Sequence, residues 1–475
     1  MVSVALRNVG FSYGTTEEQT LKGIDLVVPK GEVVLLCGAS GCGKSTLLQV
    51  INGIIPEQRE GKLSGAVEIN GKDATKISVK EKSAEISTVF QNPKSQFFHL
   101  NTTDELFFGA ANHLVPLPEM EKRLAKIAKD FHIESLIDRN IFMLSGGEKQ
   151  RIACASVAMN QPNIYVLDEP SSNLDEKSIE QLKGILTVLK AQGATIIVAE
   201  HRLYYMLDIC DKVVYMKEGK IQGEYQKEEF LKIDEATRKQ MGLRSFKRTK
   251  LSEVRIQKTE EKAHLILQNF TAQYGNTQVL SLDTLGIPLH QIVAITGDNG
   301  VGKSTFVKAF SGLLKVKKAL IDGKKLSGKQ QQKQSFMVMQ DVNSQLYCES
   351  VIDELIHLTD EEEEDKQKAR VILEKLNLLP FEEAHPMVLS GGQKQRLAIA
   401  TALFLDKKYL IFDEPTSGLD YDNMIRVSEV LKELREKVPC IFVITHDTEL
   451  IENCAECILH FEKEQQSGAI TVTKR

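Results

Sequence analysis

Short apolar runs framed by turn residues punctuate the chain. Gly31-Glu32 turns into the run Val33 to Cys37, a cluster of glycines follows, and Ser45 to Ile51 then reads as a helix. The same order returns later, with Ile292 to Thr296 before glycines and Thr305 to Phe310 after them. Ile164 to Leu167 and Tyr409 to Phe412 are runs with β-branched or aromatic members, typical of buried parallel strands, and each ends at Asp-Glu-Pro. Thr195 to Ala199 and Cys440 to Thr445 are further strands, and a histidine closes each, His201 and His446. The pattern predicts an α/β fold with a mainly parallel sheet, its polar groups gathered at the carboxyl ends of strands. In open α/β sheets ligands bind at that edge.

The chain repeats itself. Gly38-Ala-Ser-Gly-Cys-Gly-Lys-Ser-Thr46 recurs as Gly297-Asp-Asn-Gly-Val-Gly-Lys-Ser-Thr305, and Leu144-Ser-Gly-Gly-Glu-Lys-Gln-Arg151 recurs as Leu389-Ser-Gly-Gly-Gln-Lys-Gln-Arg396. Asp168-Glu169-Pro170 returns as Asp413-Glu414-Pro415. From Ser145 and Ser390 onward the two halves keep one constant register, so length differences are confined to the early part of each half. The period is a whole domain, which makes this a tandem duplication rather than a solenoid. Residues 1–225 and 263–475 are the predicted domains. Residues 226–262, rich in charge and poor in strand patterning, are the predicted linker. Its most basic segment carries Arg244, Lys247, Arg248 and Lys250; the simplest reading is a solvated tether, the sharper one a contact with anionic lipid headgroups. Asp360 to Asp365 reads as a charged helix start or loop.

Composition narrows the class. Hydrophobic residues at 42% and charged residues at 26% are ordinary for a globular chain, and no apolar run approaches the ~20 residues of a membrane span. Lys and Arg (60) nearly balance Asp and Glu (65), so a net charge of −5 does not advertise nucleic acid as a partner. The first residues lack the basic and apolar segments of a secretory signal. Eight scattered cysteines suit a reducing compartment, which together predicts a cytoplasmic protein. Cys454 and Cys457 form a lone C-x-x-C, which a near-terminal helix turn explains more simply than zinc.

The glycine motif G-x-x-x-x-G-K-[ST] lets backbone N–H groups curl around phosphate oxygens. Gly38, Ser40, Gly41, Gly43 and Thr46 form the first cradle; Gly297, Asn299, Gly300, Gly302 and Thr305 form the second. Lys44 and Lys303 supply charge to β- and γ-phosphates, while Ser45 and Ser304 offer a hydroxyl to Mg²⁺. Asp168 and Asp413 would hold that ion through its water shell, an arrangement suited to magnesium. Glu169 and Glu414 stand where a carboxylate orients or deprotonates the water attacking the γ-phosphorus, or adds a second carboxylate to the metal site. The matched spacing of His201 and His446 points to contact with the γ-phosphate.

These residues resemble the ATP-binding cassette ATPases over nearly all of both halves, with LSGGE and LSGGQ similar to that family's signature. The resemblance implies two tandem P-loop nucleotide-binding domains, each with a sheet core, a β subdomain and a helical signature subdomain, and ATP with Mg²⁺ as cofactors. It implies that Ser145, Gly146 and Gly147 cap a nucleotide held by the second half, and that Ser390, Gly391 and Gly392 cap one held by the first, so the halves form an intramolecular nucleotide sandwich. Tyr13 and Tyr274 look like the aromatics that stack on adenine, or are simply strand tyrosines. Gln91 and Gln340 resemble the Q-loop glutamines that approach Mg²⁺ and the attacking water. Asn173 to Asp175 and Gly418 to Asp420 resemble the D-loops. Two departures stand out: Glu148 replaces the signature glutamine, and Glu200-His201-Arg202 replaces the commoner His-Asp order seen at His446.

Phe90 to Phe98, Gln340 to Tyr347 and Glu200 to Tyr205 resemble segments of the fused ATPase of energy-coupling factor importers for vitamins, vitamin precursors such as those of thiamine, or cobalt and nickel ions. That resemblance implies a peripheral protein on the cytoplasmic face of the membrane, partnered by an integral scaffold subunit and a small substrate-binding membrane subunit. It implies no direct contact with the transported substrate and no nucleic-acid partner. The alternative is a soluble tandem cassette ATPase acting on ribosomes, whose relatives typically carry a longer basic helical arm between the cassettes.

Overall fold

A computed structural model describes residues 1–14, 19–172, 174–254, 264–274, 277–316, 319–325, 327–357, 359, 363–463 and 470–474. The chain divides into two compact units, Met1–Arg248 and Thr249–Arg475.

In the first unit a six-stranded sheet runs in the order Lys220–Gln226, Lys212–Lys217, Val33–Cys37, Thr195–Ala199, Ile164–Asp168 and Ile86–Val89. All pairings are parallel except the edge pair of Lys220–Gln226 with Lys212–Lys217. The unbroken apolar strands follow from burial of both faces. Val33, Leu35, Ile196, Val198 and Leu167 point into one core with the helices, while Val34, Leu36, Ile197, Ala199 and Val166 point into the other. Alternate residues face opposite sides, so a strand covered twice has no polar position to spare. The second core is closed by an antiparallel sheet in the order Leu21–Pro29, Val2–Tyr13, Gly61–Ile69 and Lys72–Asp73. Helices Thr102–Asn112, Leu117–Asp130 and Gly146–Ala158 pack together as the helical subdomain.

The second unit repeats the design. Ser335–Val338, Tyr409–Asp413, Cys440–Ile444, Ile292–Thr296 and Cys457–Lys463 lie parallel, and Ile470–Lys474 closes the edge antiparallel. Ile292, Leu410, Phe412, Ile441 and Val443 face one core; Val293, Ile295, Ile411, Phe442 and Ile444 face the other. No helix among the described residues is long and apolar enough to cross a membrane.

The expected tether is different from a solvated segment. Lys227–Phe230 and Glu235–Gln240 are short helices, Phe230 is fully buried, and its ring stacks on Tyr225 and Phe246. Arg244 is buried as well. Arg248 grips Glu176, Nε to Oε1 at 2.9 Å, and also pairs with Glu180, so its charge is spent on its own unit. The first unit therefore runs past the expected boundary at 225 to Arg248. The reason is physical: Phe230, Leu243 and Phe246 are apolar anchors inside a charged stretch, and they join the first core. Val254 packs instead with Ala294, Ile451 and Ile458 of the second unit. Residues 255–262 lie outside the described ones, as do Asn173 and residues 360–362; Glu363 to Asp365 open a helix.

Candidate functional site

In each unit the glycine-rich turn leaves the central strand and enters a helix whose first turn has no side-chain cap. Gly43 and Gly302 occupy the N-cap position at φ 103° and 102°, a left-handed geometry that favours glycine. Without a capping side chain, the first N–H groups of Lys44–Asn52 and Lys303–Phe310 remain available to an anion. Gly38 shows why the loop tolerates no side chain there: an added Cβ would sit 2.1 Å from the Met216 carbonyl oxygen. At Gly297 the same atom would meet the Phe461 carbonyl at 2.2 Å.

Lys44 Nζ curls back to donate to the carbonyls of Gly38 (2.9 Å) and Ala39 (3.1 Å), and His201 Nε2 lies 3.4 Å from it. Lys303 repeats the geometry with Gly297, Asp298 (3.0 Å) and His446 Nε2 (3.3 Å). Each lysine is thus buried yet aimed across a concave ring of backbone. Uncapped N–H groups, a positive charge and an open turn at Gly41 and Gly300, where an added Cβ meets nothing within 4 Å, suit a polyphosphate.

A hydroxyl–carboxylate pair stands beside it in each unit. Ser45 Oγ donates to Asp168 Oδ1 at 2.9 Å, and Ser304 Oγ to Asp413 Oδ2 at 3.4 Å. Burial, then the neighbouring Glu169, push the Asp168 carboxyl up to about 7, against the pull of the Ser45 hydrogen bond and Lys44. Burial likewise raises Asp413. A carboxylate so desolvated gains from a cation, and the hydroxyl–carboxylate set fits Mg²⁺.

Glu169 and Glu414 occupy left-handed backbone at φ 44° and 52°, an expensive geometry for glutamate that both units keep. Their N–H groups donate to Ala199 and Ile444, tying them to the strands that carry the histidines. Glu169 Oε1 is 3.3 Å from His201 Nε2, and Glu169 Oε2 accepts from Gln91 Nε2 at 2.7 Å. In the second unit Glu414 lies 3.8 Å from His446. The structure thus gathers Lys44, Ser45, Asp168, Glu169, His201 and Gln91 at one sheet edge. It gathers Lys303, Ser304, Asp413, Glu414 and His446 at the corresponding edge of the other.

Tyr13 Oη is 3.0 Å from Thr46 Oγ1, and its half-exposed ring stands edge-on to Phe11. The side chain of Tyr274 lies outside the described residues. Ser145 and Ser390 each open a helix through a capping box, in which Glu148 or Gln393 accepts from the serine N–H at 2.8 Å. Glutamate at position 148 therefore performs the capping that glutamine performs at 393. The box leaves the N–H groups of Gly146, Gly147, Gly391 and Gly392 as the unsatisfied donors of each helix end.

In the sequence Glu200 stands out only as a departure from the commoner order around the histidine. Its side chain is buried: Oε1 accepts from Ser171 N (3.1 Å) and Tyr205 Oη (2.8 Å), and Oε2 accepts from His201 N (2.8 Å). In the second unit Asp447, on the other side of the histidine, accepts from Thr416 Oγ1 at 2.6 Å. Ser171 and Thr416 hold equivalent positions, so a carboxylate bracing the histidine turn has moved from one side of the histidine to the other. Cys454 and Cys457 are both buried, and Cys454 Sγ is spent on the Leu450 carbonyl at 3.2 Å.

The ABC transporter family profile matches residues 21–172 and 280–417. A Treponema denticola protein bearing the name of an ABC transporter ATP-binding protein is 42% identical over 96% of this chain and 94% of its own length. A Methanosarcina mazei protein of the same name is 32% identical over 96% of this chain and 87% of its own. Among solved structures, the archaeal ABCE1 of a ribosome-bound Pelota complex is similar with a TM-score of 0.70 at 22% identity, over 98% of this chain and 78% of that one, a likeness of fold. The chain belongs to the ABC transporter family, as a tandem pair of ATP-binding, ATP-hydrolysing domains.

Proposed function

We propose that this ATPase is the energy-coupling subunit of an energy-coupling-factor-type importer for a vitamin, vitamin precursor or metal ion, acting from the cytoplasmic face of the membrane on separate membrane subunits. The observation that carries this reading is a matched apolar surface following each Q-loop glutamine. Phe98 is 75% exposed in the first unit, and Tyr347, at the equivalent position, is 71% exposed in the second. Beside the signature helices, Met143 and Val388, also at equivalent positions, are 84% and 74% exposed. Large apolar side chains left in water at corresponding places in both units suit the docking of another protein's helices.

The chemistry proceeds from the residues described. The uncapped helix ends with Lys44 and Lys303 bind the phosphates; Ser45 with Asp168, and Ser304 with Asp413, would hold Mg²⁺, which neutralises charge on the phosphates when bound. Glu169 and Glu414 take a proton from the attacking water, and His201 and His446 hold each glutamate against its lysine. Gly146, Gly147, Gly391 and Gly392 keep N–H groups at the start of each signature helix, donors suited to a phosphate. Gln91 connects the reacting end to the surface: it contacts Glu169, and Phe98 lies a few residues further on. Nucleotide binding and hydrolysis beside Gln91 thereby shift the apolar patches, and the docked scaffold with them.

Affinity purification of the tagged protein from detergent-solubilised native cells tests this. Recovery of one polytopic scaffold and one small membrane protein is expected. Recovery of ribosomes with no membrane subunit overturns the transport reading and leaves the ATPase sites standing.

A further inference from the structure

Just past the second Q-loop, three side chains of different chemistry converge. The thiol of Cys348, a carboxylate oxygen of Glu354 and an imidazole nitrogen of His357 all lie within 4.8 Å of one another. We propose that Cys348, Glu354 and His357 form a binding site for a borderline-soft divalent cation of the Zn²⁺ class, with water as the fourth ligand.

The ligand set argues for that class: thiolate and imidazole together favour zinc-like ions over magnesium or calcium, and three protein ligands plus water are a common zinc arrangement. Tetrahedral zinc with these donors needs ligand separations of about 3.3–3.8 Å, so closing the present triangle takes about 1 Å of movement. The supporting contacts are already in place. Glu354 is buried, and its Oε1 accepts from the N–H groups of Tyr347 and Cys348, which fixes the carboxylate and the loop bearing the thiol against each other. His357 Nδ1 lies 3.1 Å from the Glu354 carbonyl and 3.3 Å from that of Asp353. These acceptors place the ring proton on Nδ1 and leave Nε2 with its lone pair outward, the tautomer a metal-ligating histidine commonly shows. Nε2 meets the Tyr347 hydroxyl at 2.7 Å, and Tyr347 is largely exposed, so it can swing into water as the ion enters. Binding would release the thiol proton to solvent and oxidise nothing.

The first unit provides an internal contrast. There Glu105 Oε2 accepts from the N–H groups of Phe98 and His99 in the same way, at 2.9 Å each, so the glutamate's bracing role is common to both units. His99 stands where Cys348 does, but Phe108 replaces His357, and its ring packs on His99 at 5.0 Å between centroids. The bracing glutamate explains Glu354 without a metal; it does not explain the thiol and imidazole gathered around it only in the second unit.

Titration of the full chain, without nucleotide, with Co²⁺ as a spectroscopic stand-in for Zn²⁺ tests the site. The expected result is a thiolate-to-cobalt charge-transfer band that saturates at one ion per chain and is displaced by Zn²⁺. Cys348→Ser should abolish the band. His357→Phe, which copies Phe108 and leaves the loop's bracing intact, should weaken binding at least about tenfold. Absence of the band from the native chain, its persistence in Cys348→Ser, or unchanged affinity in His357→Phe would each overturn the proposal.

Discussion

Tyr205 donates a 2.8 Å hydrogen bond to the buried carboxylate of Glu200, and the same carboxylate holds the backbone N–H of His201. This brace is the first unit's substitute for Asp447. Tyr205→Phe should cost about 1.5–3 kcal/mol of stability, the range for a hydrogen bond to a charged group. Glu200→Ala should lower the ATPase kcat about ten- to a hundredfold through misplacement of His201, with KM for ATP little changed. Urea unfolding and steady-state phosphate release check both. A Tyr205→Phe protein as stable as the native one would show that the brace carries no load.

The buried Asp168 sets a pH dependence with a definite sign. Its carboxyl is raised from 3.8 to about 7, so the folded, nucleotide-free protein holds a proton that the unfolded chain has released. Stability should therefore fall as pH rises from about 4 to about 7, and the penalty is complete above that window. Asp168→Asn keeps an oxygen for Ser45 and removes the charge. It should melt higher than the native protein at pH 8, with the difference vanishing near pH 4. A melting difference that does not change with pH would contradict the burial argument.

Gly38 and Gly41 separate crowding from backbone strain. Both have positive φ, but only at Gly38 does a Cβ strike a neighbour, the Met216 carbonyl. Gly38→Ala should cost at least about 2 kcal/mol and abolish nucleotide binding, while Gly41→Ala should cost about 1–2 kcal/mol. Equal losses in thermal unfolding would mean that contact with Met216 plays no part.

The docking proposal rests on exposed side chains, so it can be tested without unfolding anything. Phe98→Asp combined with Val388→Asp should leave the melting temperature unchanged and remove the membrane subunits from affinity-purified material. Unaltered recovery of those subunits would place the interface elsewhere.

Much of this was legible in the sequence. The strand-loop-helix at Lys44 and Lys303 and the strands ending at Asp168 and Asp413 announce themselves, because doubly buried strands must be continuous apolar runs and phosphate loops need glycine where side chains would collide. The extent of the first unit was hidden: one phenylalanine, Phe230, outweighs the charges around it, and a composition count does not register a single well-placed ring. Glu200 looked like a departure because its compensation by Tyr205 and Ser171 exists only in three dimensions. The cluster around Cys348 was invisible for the same reason, since neither residue spacing nor composition reveals which way a loop thiol faces.

The proposed chemistry depends most directly on Glu169 and Glu414 as the groups that activate water. The decisive measurement is single-turnover ATP hydrolysis by the Glu169→Gln, Glu414→Gln double variant, with nucleotide binding measured on the same samples. The prediction is retained MgATP binding with hydrolysis slowed by about 10²–10⁴-fold, the usual worth of a general base. Hydrolysis at a near-native rate would contradict it.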